Sequence, residues 1–491
     1  MSALPRCRAF PKQYPVSTGD KAVSAVGEVE PIALVMFFAI SACLSAPENA
    51  WAQEARKTAA DVEVLVYGEE QALVEAITEK RDRQVDREHR NELDHVLSVL
   101  LARAYPTPKA QDLVRHTIDA LCEQVQTLTH TKIPNSQRTA WEDTASQTKS
   151  FEAVLKDMEE IAAGQMTREQ VVDAGLTAML SATGSITAGV LSVPEAESLT
   201  HLVEARDTPS KERGMLGVDV SRWPTVQVLP GTAAEAGLRD GDVVLRVDTK
   251  DFAEIKTSAD ALKAMRGAAG TTMSLTIKRG DKTLTFDVRR ASAAERIKAS
   301  VIDPGIVYIQ IPLFEGAGIA ARVNELICAH VTDATSDVIL DVRGNSAGRP
   351  EETNAVADIF LDEKFLQIFQ FRDGRRVAFK SKPGALDVRV IVLTNHDTAS
   401  CAEMLALALH DNHRATVIGQ PTAGALFGKD WEKLGDGRMI IFRSEPTVLS
   451  PTGHDYSETG LPPDIIVDES TGSGEDKILA RAIELARTGR E

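Results

Sequence analysis

The chain has 491 residues, of which 43% are hydrophobic and 26% charged, and its formal net charge is −17 at pH 7. This length exceeds what one hydrophobic core can serve and predicts about two to four domains, while the composition excludes a disordered chain. The acidic charge argues against a nucleic-acid partner, because phosphate binding requires a basic face. Solubility is the simpler explanation of the charge.

Residues 1–52 have the features of a targeting segment. The apolar run from Pro31 to Ala42, P-I-A-L-V-M-F-F-A-I-S-A, is too short to cross a bilayer comfortably. The A-W-A sequence that ends at Ala52 fits a signal-peptidase site, which is the interpretation we favour. Two alternatives stay open: lipidation of Cys43, since I-S-A-C resembles a lipobox, and an uncleaved anchor that associates the protein with a membrane. All three export the chain, to the periplasm or the exterior.

Residues 53–150 are predicted to form an N-terminal helical region, followed by a second helical block at residues 151–212. The segments V-L-V-Y-G-E-E-Q-A-L-V-E-A-I (64–77) and L-D-H-V-L-S-V-L-L-A-R-A-Y (93–105) place apolar residues at three- and four-residue spacing. Such stripes do not distinguish simple packing from homo-oligomerisation, from covering an active site or from tethering a partner.

The pattern changes after residue 212. Residues 213–291 contain short strands separated by turns, with one helix, and predict a small β-rich module. Residues 292–470 alternate strands with helices, which predicts an α/β domain with a mostly buried sheet. An amphipathic helix closes the chain at residues 471–491. The fold class is therefore α/β and α+β, arranged in several domains.

The cysteines and histidines do not form a metal-site pattern. After cleavage at Ala52, Cys122, Cys328 and Cys401 remain without C-x-x-C spacing, which excludes a zinc ribbon and a disulfide framework. The ten histidines show no H-E-x-x-H motif. We therefore predict no metal and no other cofactor.

The segment T-A-S-C-A-E, which begins at Thr398, follows the apolar run V-R-V-I-V-L-T-N and opens an Ala/Leu-rich helix. A serine at a strand-to-helix junction exposes its Oγ beside the unpaired N–H groups of the helix, and these groups can stabilise an oxyanion. Serine is also a common helix N-cap. On position alone, Ser400 is either a nucleophile or a cap.

Three motifs occur in the order found in the carboxy-terminal processing, or tail-specific, proteases of peptidase family S41. The segment Leu229 to Asp248, L-P-G-T-A-A-E-A-G-L-R-D-G-D-V-V-L-R-V-D, resembles a PDZ domain of the bacterial protease type. The segment Leu340 to Gly348, L-D-V-R-G-N-S-A-G, resembles the family's L-D-[LV]-R-x-N-x-G-G motif, and T-A-S-C-A-E resembles [ST]-A-S-x-[SA]-E. The resemblance covers about residues 150–470 and implies a PDZ domain followed by a ClpP/crotonase-like α/β peptidase core.

The resemblance assigns roles to individual residues of the core. It makes Ser400 the nucleophile and places Cys401 where the family uses a backbone N–H in its oxyanion hole. The other oxyanion donor would come from the Ala347–Gly348 turn. Ala347 replaces the first glycine of this turn, and its methyl group is expected to crowd the approach or to disfavour a positive φ.

The resemblance also implies a peptide-binding site in the PDZ module. Leu216, Gly217 and Val218 match the carboxylate-binding loop of that family. Backbone N–H groups of such a loop hold the C-terminus of a protein or peptide substrate, while the peptide adds as a strand to the sheet edge. The alternative is a PDZ fold that serves only as a spacer.

The general base departs from the family pattern. The family's lysine lies in T-[FYW]-G-K-G-x-x-Q, and the matching stretch here is T-A-G-A-L-F-G-K, so that Ala425 stands at the lysine position and Lys429 at the glutamine position. Lys429 is a candidate relocated base, since four residues along a strand return a side chain to the same face. The displacement is about 13 Å, which only a bulged or bent strand would offset.

Glu458, in Y-S-E-T-G-L-P-P-D-I, is a second candidate. This segment resembles the tricorn-like and retinoid-binding-protein-like branch of the family, in which a glutamate joins a Ser/His arrangement. The histidine of that branch should precede the PDZ module, and the segment 182–187 contains none. His396 is the nearest substitute along the chain, and we interpret it as a loop residue.

Three functions compete on this basis. The first is an exported serine endopeptidase that captures substrate C-termini, and it is the one we favour. The second is a catalytically inactive S41-like PDZ binding or adaptor protein, which the alanines at 347 and 425 support. The third is a hydrolase of smaller substrates that uses the same serine.

Overall fold

The computed structural model describes residues 62–66, 91–162, 164–197, 199–200, 214, 216–220, 222–228, 231–468 and 476–488. The predicted targeting segment, residues 1–52, lies outside these ranges, as does most of the helix predicted for residues 64–77. Among the described residues, no helix combines the length and the apolar character that a membrane crossing requires.

The N-terminal region begins with a strand, β1 (Val62–Val66), where the sequence pattern predicted a helix. The helix prediction was therefore wrong for residues 64–66. The segment V-E-V-L-V carries β-branched valines at alternate positions, which favours an extended backbone. The strand pairs in parallel with residues 376–380 of the core, a partner that no local pattern reveals.

Five helices follow among the described residues and confirm the helical prediction for residues 93–103 and for most of residues 151–181. They are α1 (Glu92–Arg103), α2 (Ala110–Thr129), α3 (Asn135–Thr148), α4 (Glu152–Ala162) and α5 (Arg168–Ser181). Asn91 caps the first helix by accepting a hydrogen bond from the N–H of Asp94 at 2.9 Å, and Thr167 begins the last one with a capping box. The apolar stripes of these helices form one core together with Leu434, Ile440 and Phe442. A short strand, β2 (Gly189–Leu191), follows, so the helical prediction for residues 151–212 was wrong at these positions, because their backbone pairs with β17 of the core. Residues 193–197 and 199–200 are helical again.

The β-rich module has its own core and two small antiparallel sheets. Its elements are β3 (Val218–Asp219), β4 (Gln227–Val228), α6 (Thr232–Ala236), β5 (Val243–Val247), β6 (Lys250–Asp251), α7 (Ser258–Met265), β7 (Thr272–Arg279) and β8 (Lys282–Arg289). The strand order is β3-β4 in one sheet and β6-β5-β7-β8 in the other. Alternate residues of β7, Met273, Leu275 and Ile277, are buried in the module's core.

The α/β core follows. Its elements are β9 (Lys298–Asp303), β10 (Ile306–Gln310), α8 (Ile319–His330), β11 (Asp337–Asp341), α9 (Pro350–Phe360), β12 (Phe365–Gln370), β13 (Arg376–Lys380), β14 (Arg389–Thr394), α10 (Cys401–Asp411), β15 (Ala415–Gly419), β16 (Phe427–Lys433), β17 (Met439–Leu449), β18 (Ile465–Ile466) and α11 (Lys477–Thr488).

Two sheets organise these elements. The first has the order β18-β15-β14-β11-β10-β9 and is parallel except at β9. The second has the order β1-β13-β12-β17-β16, with β2 also paired to β17. In β11, Val338 and Leu340 join the core that contains α8, α9 and α10, whereas Ile339 packs on α11. A sheet buried on both faces explains the continuous apolar strands in the sequence.

Candidate active site

Ser400 lies where β14 gives way to α10. The backbone at Ser400 has φ 55° and ψ −118°, a conformation that a residue other than glycine adopts only under strain. Ser400 occupies the N-cap position of α10 and is half-buried. The two roles that the sequence suggested, nucleophile and helix N-cap, therefore require the same position. A strained turn of this kind presents the serine hydroxyl at the start of the helix, where the positive end of the helix dipole lies.

Glu403 holds this turn against the following loop. Its side chain is fully buried and accepts hydrogen bonds from the N–H of Ser400 at 2.8 Å and from the hydroxyl of Thr422 at 2.6 Å. The N–H groups of Gly424 and Ala425 donate to the same carboxylate at 2.7 and 2.8 Å. Burial raises the pKa of Glu403 from its ordinary value, and these hydrogen bonds oppose the rise. The glutamate of the T-A-S-C-A-E motif therefore holds the backbone of Ser400 in position.

The predicted oxyanion turn lies beside Ser400. The carbonyl of Asn345 accepts a hydrogen bond from the N–H of Ala399 at 2.9 Å, which joins this turn to the serine's turn. A Cβ on Gly348 would meet the Cβ of Phe314 at 2.1 Å, so that only glycine fits there. Ala347 is exposed and does not have a positive φ. The expectation that an alanine would disfavour a positive φ therefore does not apply at this position. Gly348 and Cys401 line the same cleft as Ser400, whereas Ala347 is not among its lining residues.

A cleft of about 340 Å³ opens in front of Ser400. Polar groups and apolar side chains both contribute to it. Its lining residues are Arg103, Gly348, Pro350, Phe369, Ser400, Cys401, Met404, Ala425, Leu426, Phe427, Gly428, Lys429, Asp430, Ser444, Glu445, Pro446 and Val448. A mixed lining with a few convergent polar groups is typical of binding and catalytic clefts.

Lys429 and Ser400 line the same cleft. The sequence estimate of a 13 Å displacement assumed a regular strand from Ala425 onward, at about 3.3 Å per residue. In the structure β16 begins only at Phe427, and its pairing with β17 shifts register between Phe427 and Gly428. A bulge of this kind redirects side chains. Ala425, at the family's lysine position, is buried in the lining of the same cleft.

Lys429 lines the cleft although the residue as a whole is exposed. Burial lowers the pKa of Lys429 from its ordinary value, while the negative charges of Glu403 and Glu458 oppose this. A lysine with a lowered pKa is the form that can act as a general base nearer to neutral pH. The catalytic role of Lys429 stays a prediction.

Glu458 lies beside the cleft rather than in its described lining. One carboxylate oxygen accepts a hydrogen bond from the N–H of Ile186 at 2.9 Å, and the other lies 3.4 Å from Nη1 of Arg443. The segment 182–187, which contains no histidine, thus contacts Glu458 through a backbone N–H. No histidine of the described residues lines the cleft, and His396 is exposed. A catalytic role for Glu458 stays a prediction.

The N-terminal helices contribute a wall of the cleft that sequence reasoning missed. Arg103, in the last turn of α1, pairs with Asp430 at 2.7 Å and with Glu432 at 2.6 Å, and it donates to the carbonyl of Trp431 at 2.9 Å. Its guanidinium also lies 5.6 Å from the centre of the Phe442 ring. The sequence shows only an arginine in the last turn of a helix, and because basic residues are common there, this position does not indicate a role in the cleft.

The loop predicted to bind a carboxylate lies at the start of β3. Leu216 is buried, and its carbonyl accepts a hydrogen bond from the N–H of Ala233 at 2.8 Å. Gly217 has φ 79°, a left-handed conformation that glycine adopts without strain. Val218 pairs with Val228 in the small sheet. Peptide binding by this loop stays a prediction.

Two parts of the chain match known families. Residues 305–467 match the family model of Peptidase family S41, and residues 210–289 match that of the PDZ domain. Residues 305–467 therefore belong to peptidase family S41. The fold is accordingly that of an S41 protein: N-terminal helices, a PDZ module with an antiparallel sheet and a mixed α/β core.

Curated S41 relatives are distant in sequence. The chain is 28% identical over 279 residues to a carboxy-terminal-processing protease of Bartonella bacilliformis, a match that covers 54% of this chain and 64% of the relative. It is 28% identical over 236 residues to a protein of Staphylococcus haemolyticus named "Probable CtpA-like serine protease", which covers 47% of each chain. The matches thus span about half to two thirds of these relatives. Among solved structures, a photosystem II D1 C-terminal processing protease aligns with a TM-score of 0.38 and 20% identity, over 75% of this chain and 96% of that chain.

Proposed function

We propose that this S41 protein is a serine endopeptidase in which Ser400 is the nucleophile and Lys429 the general base. The observation that carries the proposal is that both residues line one cleft. Burial lowers the pKa of Lys429, which supports the same assignment. A serine without a base is a poor nucleophile, so the proposal requires both residues together.

The proposed reaction follows from these positions. Neutral Lys429 takes the proton of Ser400 as its Oγ attacks a peptide carbonyl, and the N–H groups of Gly348 and Cys401 stabilise the oxyanion. The protonated lysine then gives its proton to the leaving amine, which leaves an acyl group on Ser400. Water, deprotonated by the lysine, hydrolyses this ester and releases the second product.

The PDZ module is proposed to capture the C-terminus of the protein or peptide substrate. The left-handed Gly217 between Leu216 and Val218 supports this role, because successive N–H groups of such a turn can converge on a carboxylate. A peptide with a free C-terminus should bind more tightly than the same peptide with an amidated C-terminus. Equal affinities would contradict carboxylate capture.

Export of the chain is part of the proposal. Its support is the sequence pattern of residues 1–52, in which an apolar run precedes an A-x-A site. Intact mass measurement of the protein recovered from the cell envelope would distinguish cleavage after Ala52 from lipidation of Cys43. An uncleaved, unmodified chain recovered from the cytosol would contradict export.

A second candidate function is that of a catalytically inactive PDZ binding protein. The observation that favours it is Ala425, which stands at the family's lysine position with its N–H bonded to Glu403. An inactive protein would keep this scaffold and still bind C-termini.

Cleavage by purified protein separates the two functions. The wild-type protein should cleave a protein substrate that ends in an apolar free C-terminus, and the Ser400→Ala variant should bind the substrate without cleaving it. Wild-type protein that binds but does not cleave would instead support the binding function.

A further inference from the structure

The backbone of Lys429 faces away from its partner strand. Lys429 lies opposite Arg443 in the antiparallel pair of β16 and β17. The carbonyl of Arg443 accepts a hydrogen bond from the N–H of Tyr105 at 3.2 Å, on the side of β17 away from β16. Directly opposed residues of an antiparallel pair are either both bonded to each other or both directed outward. The N–H and C=O of Lys429 therefore point to the outer edge of β16.

Among the described residues, no group bonds to the outward N–H and C=O of Lys429, whereas the outer edge of β16 is covered two residues further on. At Trp431, the next outward residue, the carbonyl accepts a hydrogen bond from Arg103 at 2.9 Å and the N–H donates to the side chain of Asp430 at 2.8 Å. Within the part of the chain that the structure describes, β16 pairs with no strand other than β17. The open position belongs to the cleft that also contains Ser400.

We propose that an extended segment of the polypeptide substrate adds as a β-strand to the outer edge of β16 at Lys429. One substrate residue would donate its N–H to the carbonyl of Lys429 and accept from the N–H of Lys429, which is the complementary pair that an extended peptide offers. Arg103 and Asp430 end the pairing at Trp431. This inference rests on the proposed function, because it takes the cleft to be where a polypeptide binds.

Amide hydrogen exchange tests the pairing without catalysis. The Ser400→Ala protein is saturated with a serine- and alanine-rich peptide that has an apolar free C-terminus, and exchange is followed at single-residue resolution. The N–H of Lys429 should exchange about tenfold more slowly with peptide than without it. The N–H of Trp431 should not change, because Asp430 already accepts its hydrogen bond. An unchanged rate at Lys429 would overturn the proposal, whether or not the PDZ loop is protected.

A proline substitution tests the same hydrogen bond by affinity. In the Ser400→Ala background, Lys429→Pro lacks both the side chain and the N–H, whereas Lys429→Ala lacks only the side chain. We expect the proline variant to bind the peptide about fivefold more weakly than the alanine variant, the effect of one hydrogen bond. The control is Lys433→Pro, which removes an outward N–H of the same strand at a position outside the described lining of the cleft. Equal affinities of Lys429→Pro and Lys429→Ala would overturn the proposal.

The two experiments separate this inference from the proposed function. Both use protein that lacks the nucleophile, so protection at Lys429 supports strand addition even if the wild-type protein never cleaves a substrate. Conversely, cleavage by the wild-type protein without protection at Lys429 would leave the peptidase function standing and overturn strand addition alone.

Discussion

The carboxylate of Glu403 accepts a hydrogen bond from the backbone N–H of Ser400 at 2.8 Å, and it does so from a fully buried position. The same carboxylate holds the N–H groups of Gly424 and Ala425. The strained turn that presents Ser400 is thus fixed to the loop that leads into β16 and Lys429. Glu403 therefore links the turn that carries Ser400 to the loop that precedes the strand of Lys429.

Replacement of Glu403 should damage both stability and reactivity. Glu403→Ala leaves four donors without their acceptor, three of them buried, and we expect the free energy of unfolding to fall by about 3–5 kcal/mol. Glu403→Gln keeps one carbonyl oxygen, and its loss should be about 1–2 kcal/mol. Urea denaturation measures both values. An alanine variant as stable as the wild type would contradict the positioning role.

Of the two positions in the predicted oxyanion turn, only Gly348 should be sensitive to substitution. In Gly348→Ala the new methyl group meets Phe314, so the turn must move, and we expect at least about a tenfold loss of kcat/KM, the effect of displacing one oxyanion donor. Ala347→Gly introduces no clash and changes an exposed residue, so kcat/KM should stay within about twofold. Peptide cleavage by the two variants under one condition checks this. An unchanged kcat/KM in Gly348→Ala would show that this turn does not supply an oxyanion donor.

Arg103 joins the N-terminal helices to the strand that carries Lys429. Arg103→Ala removes the ion pair of the largely buried carboxylate of Asp430 and leaves Glu432 with His95 as its remaining ion-pair partner, and it should lower the free energy of unfolding by about 2–3 kcal/mol. Arg103→Lys keeps the charge without the forked geometry, and its free energy of unfolding should lie between those of the wild type and Arg103→Ala. As a control, Arg115→Ala removes an exposed pair with Asp112 and should cost less than about 0.5 kcal/mol. Equal urea midpoints for Arg103→Ala and Arg115→Ala would contradict this account.

The sequence predicted much of this site, because its signals are local. A buried strand before T-A-S-C-A-E and an Ala/Leu-rich run after it predicted the junction at Ser400, which the structure confirms. The strand and helix pattern of residues 213–291 likewise predicted the module that matches a PDZ domain. These elements depend on residue spacing within one segment.

The parts that sequence reasoning missed depend on distant pairing. The bulge that follows Phe427 arises where β16 meets β17, and a count of residues along one strand cannot reveal it. The strand at residues 62–66 exists because it pairs with β13, more than three hundred residues away. Arg103 likewise meets partners that lie 327 and 329 residues away along the chain.

The pH dependence of cleavage should report the titration of Lys429. The base must be neutral, and burial lowers the pKa of Lys429, so the neutral form appears at a lower pH than for a free lysine. We expect kcat/KM to rise with pH and to level off below about pH 10.4, the value for an unperturbed lysine. In Glu458→Gln the loss of a negative charge should move the rise to lower pH, because that charge raises the pKa of Lys429. A profile that Glu458→Gln leaves in place would contradict this electrostatic link.

The central claim, that Lys429 activates Ser400, is tested most directly by the rate at which a fluorophosphonate labels the serine. Wild-type protein should be labelled at Ser400, Ser400→Ala should not, and Lys429→Ala should react at least about a hundredfold more slowly, as expected for loss of a general base. Lys433→Ala, which changes an exposed lysine of the same strand, is the matched control and should react at the wild-type rate. Equal labelling rates for Lys429→Ala and Lys433→Ala would contradict the account.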